Sequence, residues 1–252
     1  MNWVWFHRLA SPPSFFALAE RLSPWVLAAA IPLLLYGVVG GLWLAPADYQ
    51  QGDAFRIIYV HVPAAWLSLF GYTAMALAAI VAVIWRMKIA ECAVVAIAPV
   101  GASFTALALI TGMLWGKPMW GAYWAWDARL TSELVLLFLY LGVIGLQQAV
   151  ADPRAAARAA GLLAIVGVIN VPIVHYSVEG WNSLHQGSTV SKIGKPSISA
   201  NMAWPLLSMT LGFMLFFGWT VLRRIQAELL WRERGTRWVR ERFVSLPEVS
   251  GD

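Results

Sequence analysis

The chain has 252 residues, of which 60% are hydrophobic and 12% are charged, and its mean hydropathy is +0.67. This composition excludes an ordinary soluble domain and is typical of a protein that lies in a bilayer. The formal net charge of +5 does not by itself indicate nucleic acid, because in a membrane protein the location of Lys and Arg matters more than their sum. The lone cysteine, Cys92, excludes an internal disulfide and a CxxC redox pair.

Six stretches are long and apolar enough to cross a membrane, which takes about 20 residues for about 30 Å of hydrocarbon. They predict an all-α integral membrane protein with six transmembrane helices and aromatic-rich outer loops, contained in one membrane domain over residues 1–222. The predicted helices cover residues 24–44, 58–85, 90–114, 130–150, 159–178 and 202–222.

The distribution of basic residues predicts the orientation of these helices. An even number of helices places both termini on one side, and most of the 18 Lys and Arg residues fall on that side. Those on the other side are Arg56, Lys117, Arg129, Lys192 and Lys195. By the positive-inside rule, both termini are then cytoplasmic, and the loops at 45–57, 115–129 and 179–201 face outward.

The two ends of the chain are predicted to lie outside the apolar spans. Residues 1–23 are not a cleavable signal peptide, because prolines and charges interrupt them and no small-residue cleavage site follows. They form a predicted interfacial segment with aromatic side chains at the headgroups: Trp3, Trp5, Phe6, Phe15 and Phe16. Residues 223–252 form a basic cytoplasmic tail, which is expected either to lie on the anionic inner surface or to contact a cytoplasmic partner.

The outer loop at residues 115–129 is crowded with aromatic side chains. They are Trp115, Trp120, Tyr123, Trp124 and Trp126. Trp and Tyr form belts at membrane interfaces, but a belt does not require such clustering. A helical turn over residues 119–127 would place Trp120, Tyr123, Trp124 and Asp127 on one face. Two roles stay open for Asp127, as the cap of the fourth helix or as a partner that orients a loop tryptophan or Arg129.

Two histidines flank this loop in the sequence: His61 opens the second helix, and His185 lies in the third outer loop. Either one alone is interpreted as a hydrogen-bonded interface residue. Together with the indoles and the cations Arg56, Lys117 and Arg129, they supply what a haem requires, namely axial imidazoles, aromatic cover and partners for the propionates. The predicted cofactor is haem b held without covalent bonds, because the chain has no CxxCH motif.

Three other residues bear on this site. His175, at the outer end of the fifth predicted helix, is a candidate to replace either axial ligand or to shape the pocket. Glu133 falls in the first turns of the fourth helix and is expected near the interface, paired or stabilised by the helix dipole. Cys92 is expected towards the other end of the third helix, too far away to bind the same metal.

Three motifs carry a resemblance to a known family: APADYQQGDAFRIIYVHVPAAW, WGKPMWGAYWAWDARLTSELVLLFLYLG and HYSVEGWNSLHQGSTV. The tryptophan-rich motif among them resembles the WWD signature of haem-handling proteins, and nearly the whole chain resembles the CcmC family, the haem exporter protein C family of cytochrome c maturation. The resemblance implies that His61 and His185 are axial haem ligands and that the WWD loop meets the macrocycle. The loop residues so implicated are Trp115, Trp120, Trp124, Trp126 and Asp127, and Tyr123 is included with them as a candidate contact.

The same resemblance implies a role at the bacterial inner membrane. A member of this family holds haem at the periplasmic face and presents it to the periplasmic haem chaperone CcmE, which attaches it covalently. The implied partners are CcmE, the ABC transporter pair CcmA and CcmB, and the small membrane protein CcmD. This is a delivery role more than that of a classical enzyme, and assistance to covalent attachment stays open.

Two rival functions remain at the level of sequence. One is a b-type membrane cytochrome that carries electrons through a bis-histidine haem, although such histidines usually lie within helices. The other is a structural or permease subunit that binds no haem and carries an aromatic belt.

Overall fold

The computed structural model describes residues 11–181, 185 and 198–243. These residues form helices and no β-strand, and they include six spans long and apolar enough to cross a membrane, as predicted. The helices are α1 (Pro12–Val39), α2 (Ile58–Trp85), α3 (Lys88–Trp120), α4 (Ala128–Ala149), α5 (Pro153–Gly167), α6 (Asn170–Gly180), α7 (Ala200–Glu233) and α8 (Arg237–Phe243). A π-helical turn (Gly40–Leu44) extends α1, a 3-10 turn (Asp53–Ile57) precedes α2, and α5 with α6 makes the fifth span.

Helix α2 has the predicted bounds, but α1 begins well before residue 24. It starts at Pro12, because proline is well accommodated in the first turn of a helix, where its missing N–H has no intrahelical partner. Residues 12–23 of the predicted interfacial segment are therefore helical and continuous with the first apolar span. The aromatic residues Trp3, Trp5 and Phe6 lie outside the described residues.

Helix α3 also extends beyond its predicted end at residue 114. It ends at Trp120, and Gly121 caps it with a φ of 78°, a left-handed conformation that favours glycine. The next helix, α4, begins at Ala128, so only residues 121–127 connect the two. The first part of the predicted WWD loop is therefore helical.

The last two spans differ from their predicted forms. The fifth is interrupted by a turn at residues 168–169, which separates α5 from α6. The sixth continues to Glu233 instead of ending at residue 222, because ion pairs stabilise the helix after the apolar span ends. Glu233 pairs with Lys88, and Arg232 pairs with Glu91 on α3 at 3.0 Å. The predicted boundary of the basic tail thus falls inside α7.

Close packing of α2, α3 and α4 forms the core of the bundle. The side chain of Tyr140 is fully buried, and its hydroxyl donates to the carbonyl of Ser68 at 2.8 Å. A Cβ atom at Gly101 would lie 2.3 Å from the Tyr140 ring, so only glycine permits this approach of α3 to α4. This rigid packing supports the ends of the same helices, where the candidate site lies.

Candidate functional site

A cavity opens at the end of the bundle where α2 and α4 begin and α3 ends, referred to below as the histidine end. Residues of α2, α3, α4, α6 and α7 line it, together with residues of the first and third predicted outer loops. Most of the lining is apolar. The aromatic and ionisable side chains in the lining are His61, His175, His185, Phe55, Trp66, Trp115, Trp120, Arg129 and Glu133. Both predicted axial histidines therefore face one cavity.

His61 is held by groups on α3. Its Nδ1 lies 3.1 Å from the carbonyl oxygen of Ala108 and 3.0 Å from Oγ1 of Thr111. A carbonyl only accepts hydrogen bonds, so Nδ1 carries the proton in this arrangement, and Nε2 has the lone pair that can bind a metal. A Cβ atom at Gly112 would lie 3.2 Å from Cε1 of His61, so the glycine leaves room for the ring.

His185 is held by Asp127. Its Nδ1 lies 2.7 Å from Oδ2 of Asp127, whose Oδ1 accepts from the backbone N–H of Leu130 at 2.8 Å. The predicted capping role of Asp127 is therefore confirmed, and the same carboxylate also orients a histidine, a role that the sequence did not suggest. Burial lowers the pKa of the His185 imidazole below its usual value of 6.5, while Asp127 acts in the opposite direction.

Two tryptophans pack against the two histidines. Trp115 lies edge-on to His61 with ring centroids 5.7 Å apart, and Trp120 lies edge-on to His185 at 4.8 Å. Nε1 of Trp115 donates to Oε1 of Gln51 at 2.9 Å, and the Phe55 ring packs edge-on against Trp115. Sequence analysis missed Gln51 and Phe55, whose only signal was their position in the first outer loop.

The other aromatic residues of the loop do not line the cavity. Residues 121–127 are not helical, so the predicted helical face is wrong, because Gly121 ends α3 two residues before Tyr123. Trp124 and Trp126 pack edge-on at 5.3 Å, and Trp126 is 79% exposed. These side chains form a surface next to the cavity, called the aromatic rim below: Tyr123, Trp124 and Trp126.

Of the three predicted propionate partners, Arg129 alone lines the cavity. Its Nη2 donates to the carbonyl of His175 at 3.3 Å, while its buried Nε has no partner among the described residues. Arg56 lies outside the lining, where its Nε donates to Oδ1 of Asp53 at 2.9 Å. Lys117 also lies outside, with Nζ 3.0 Å from the carbonyl of Gly121.

Glu133, in the second turn of α4, is a buried residue of the cavity lining. Its side chain lines the cavity and is 7% exposed, and its Oε1 has no hydrogen-bond partner among the described residues. Arg129 lies on the same face of α4 and interacts electrostatically with Glu133, so the expectation of a paired or dipole-stabilised carboxylate near the interface stays a prediction. An ionisable residue in an apolar helix is itself a signal of a functional position.

His175 also lines the cavity, as its predicted pocket-shaping role requires. Its ring packs edge-on against Tyr176 with centroids 4.7 Å apart, and its backbone carbonyl accepts from Arg129. No hydrogen bond of the described residues anchors its Nδ1 in the way seen for His61 and His185.

Comparison with known proteins gives consistent matches over nearly the whole chain. Residues 5–240 match the family model CcmC, described as "Heme exporter protein C". The chain is 51% identical over 239 residues to "Heme exporter protein C" of Escherichia coli (strain K12), covering 95% of this chain and 96% of that protein. The corresponding protein of Haemophilus influenzae is 48% identical over 238 residues, covering 94% and 97%. A "Putative cytochrome c biosynthesis ccmC-like mitochondrial protein" of Marchantia polymorpha is 44% identical over 210 residues, covering 83% and 89%.

Proposed function

Because the chain belongs to the CcmC family of heme exporter proteins, we propose that it binds haem b non-covalently between His61 and His185 and presents it to the chaperone CcmE. The protein is a multi-pass membrane protein of haem handling in cytochrome c biogenesis.

The anchoring of both histidines through Nδ1 is the observation that carries this proposal. Histidines that bind metals almost always donate the other ring N–H to a carboxylate or a backbone carbonyl, which fixes the tautomer and the ring orientation. Asp127 provides the carboxylate for His185, and Ala108 provides the carbonyl for His61. Both imidazoles are thus prepared to offer Nε2 to a metal in the same cavity.

The remaining lining also fits a haem. Apolar side chains and the rings of Trp115 and Trp120 cover a flat, apolar ligand and exclude water from it. The unpaired Nε of Arg129 is a donor for a propionate. A bound haem would be held through its iron by the imidazole nitrogens of His61 and His185.

A delivery protein must also release what it binds. Tyr123 and Trp126 of the aromatic rim are exposed next to the cavity, so the rim offers contact surface to the haem edge and to a partner. We assign this contact role to Tyr123, Trp124 and Trp126. Arg56 and Lys117 lie at the same end and attract anionic groups. Such an arrangement positions haem for covalent attachment on the chaperone, and assistance to that attachment stays open.

The proposed location is the bacterial inner membrane, with the histidine end facing the periplasm and both termini in the cytoplasm. The positive-inside distribution of Lys and Arg supports this orientation. CcmA, CcmB and CcmD are the proposed membrane partners. The basic residues at the other end of the bundle suit the anionic inner leaflet.

Transfer of haem to the chaperone tests this function. In cells that produce both proteins, we expect CcmE to acquire covalent haem with the wild-type chain and to lose it with His61→Ala or His185→Ala. His175→Ala is the matched control, because it removes the same side chain from the same cavity and is expected to preserve transfer. Reversible haem redox chemistry without any transfer would instead favour an electron-carrying b-type cytochrome.

A further inference from the structure

Two charged side chains on α4 leave buried polar atoms without partners in the same cavity. Arg129 and Glu133 are four residues apart, so they lie one above the other on one face of the helix. Nε of Arg129 and Oε1 of Glu133 both lack a hydrogen-bond partner among the described residues. Burying such atoms unpaired is costly, so each is suited to a group that enters the cavity.

The chemistry of the two atoms limits what that group can be. The guanidinium Nε–H requires an acceptor, and a carboxylate is its preferred partner. Glu133 has two oxygens, and a second carboxylate can lie beside it only when the two acids share one proton, as in other buried carboxyl pairs. A carboxyl group of the ligand satisfies both residues at once, whereas an apolar edge satisfies neither.

We infer that Arg129 and Glu133 form a carboxyl clamp that grips one propionate of the bound haem. Arg129 donates to the propionate through Nε, and Glu133 shares one proton with it. That proton is taken from water when the ligand enters and returns to water when the ligand leaves, so no other bond is made or broken. This inference rests on the proposed function, because it assigns a residue to one substituent of the proposed ligand.

The location of Glu133 is consistent with a role at the edge of the ligand and not at the metal. Among the described residues, the hydrogen bonds that anchor His61 and His185 involve Ala108, Thr111 and Asp127 and do not involve Glu133. The clamp therefore favours ligands that carry a carboxyl group, and it does so independently of iron ligation by the histidines.

Selectivity between haem and haem dimethyl ester tests the clamp. The apo-protein in phosphatidylcholine nanodiscs is titrated with each compound, and the Soret band reports affinity and bis-imidazole ligation. The wild type is expected to prefer haem. Glu133→Gln retains an N–H donor and keeps most of this preference, while Glu133→Leu reduces it roughly tenfold. Ser132→Ala is the matched control, because Ser132 is a buried polar residue of the same helix outside the cavity lining.

An unchanged preference in Glu133→Leu would overturn the clamp. If the leucine variant does not fold, infrared difference spectra of the wild type decide the question. Haem binding should produce a protonated-carboxyl band that shifts when the propionates carry carbon-13 and is missing with the dimethyl ester, and its absence would also overturn the inference. A wild type that binds both compounds equally with bis-imidazole spectra contradicts the clamp alone, whereas one without a bis-imidazole spectrum contradicts the proposed function as well.

Discussion

At the histidine end of the bundle, four buried polar atoms lack partners among the described residues, whereas the buried charges at the opposite end, called the tail end, are paired. The tail end is formed by the start of α3, the end of α7 and α8. The unpaired atoms among the described residues are Tyr59 Oη, Trp124 Nε1, Arg129 Nε and Glu133 Oε1, and all belong to the histidine end.

The tail end shows the opposite pattern. Glu233, only 5% exposed, accepts from Lys88 and from Nε1 of Trp238, and Arg242 pairs with Glu20 on α1. Cys92 is buried there against apolar residues of α3 and α7, away from the cavity, as the sequence indicated. Unpaired polar groups cost stability, so their concentration at one end indicates where the chain is adapted for a ligand and where it is adapted for stability.

The first way to test this contrast is Asp127→Asn. Asparagine caps a helix as well as aspartate, so α4 should begin normally, but the His185 imidazole loses its anionic partner. We expect haem affinity to fall by about 10–100-fold with little change in thermal unfolding. Soret titration and a melting curve of the apo-protein measure the two effects. A lower melting temperature with unchanged haem affinity would instead mean that Asp127 only stabilises the fold, as the paired charges of the tail end do.

Acidification should have the second-largest effect, a loss of haem from the histidine end. Burial lowers the pKa of His185, so the folded site stays neutral as the pH falls through 6.5 and becomes protonated only at lower pH. Haem should therefore be retained near neutrality and released towards about pH 5, where protons compete with iron for imidazole. The free energy of unfolding should also fall as the pH drops below about 6.5, because the unfolded chain then binds the proton more readily than the folded one. A Soret band that is unchanged down to about pH 4 would contradict this.

A smaller effect is expected from the tryptophans, and it should depend on position. Trp115→Ala removes a ring that packs against His61, so haem binding should weaken by about 0.5–1.5 kcal/mol beyond the lost area. Trp126→Ala, at the exposed aromatic rim, should leave affinity near that of the wild type and slow transfer to the chaperone. Equal loss of affinity in the two variants would remove the distinction between the cavity and the rim.

Glu233→Gln at the tail end should have the smallest effect on haem. It takes a charged acceptor from Lys88 and Trp238, which should lower the free energy of unfolding by about 1–3 kcal/mol. Haem affinity, measured by the same titration, should not change. A clear drop in affinity would show that the two ends are coupled.

Much of the fold followed from hydropathy, because six apolar stretches are a strong signal. The ends of the helices were less predictable. Pro12 and Gly121 set two of the ends through backbone geometry, and ion pairs of Glu233 extend the last helix past its apolar residues. Those pairs join Glu233 to Lys88, which is distant in sequence, so no local pattern indicates them.

The candidate site was partly predictable for a similar reason. His61, His185 and the tryptophans were identified by residue type and loop position, but which tryptophans line the cavity depends on where α3 ends. The contact between Asp127 and His185 joins two loops and required the structure. The sequence draws attention to Glu133 as an acid in an apolar helix, but it does not indicate that Oε1 of this residue lacks a hydrogen-bond partner.

The axial ligation of haem by His61 and His185 is the central claim, and electron paramagnetic resonance tests it directly. The purified ferric wild-type protein should give the low-spin signal of two imidazole ligands. Each of His61→Ala and His185→Ala should lose that signal and regain it on addition of free imidazole, which fills the vacant position. A wild type without this signal, or either alanine variant that retains it without added imidazole, would contradict the account.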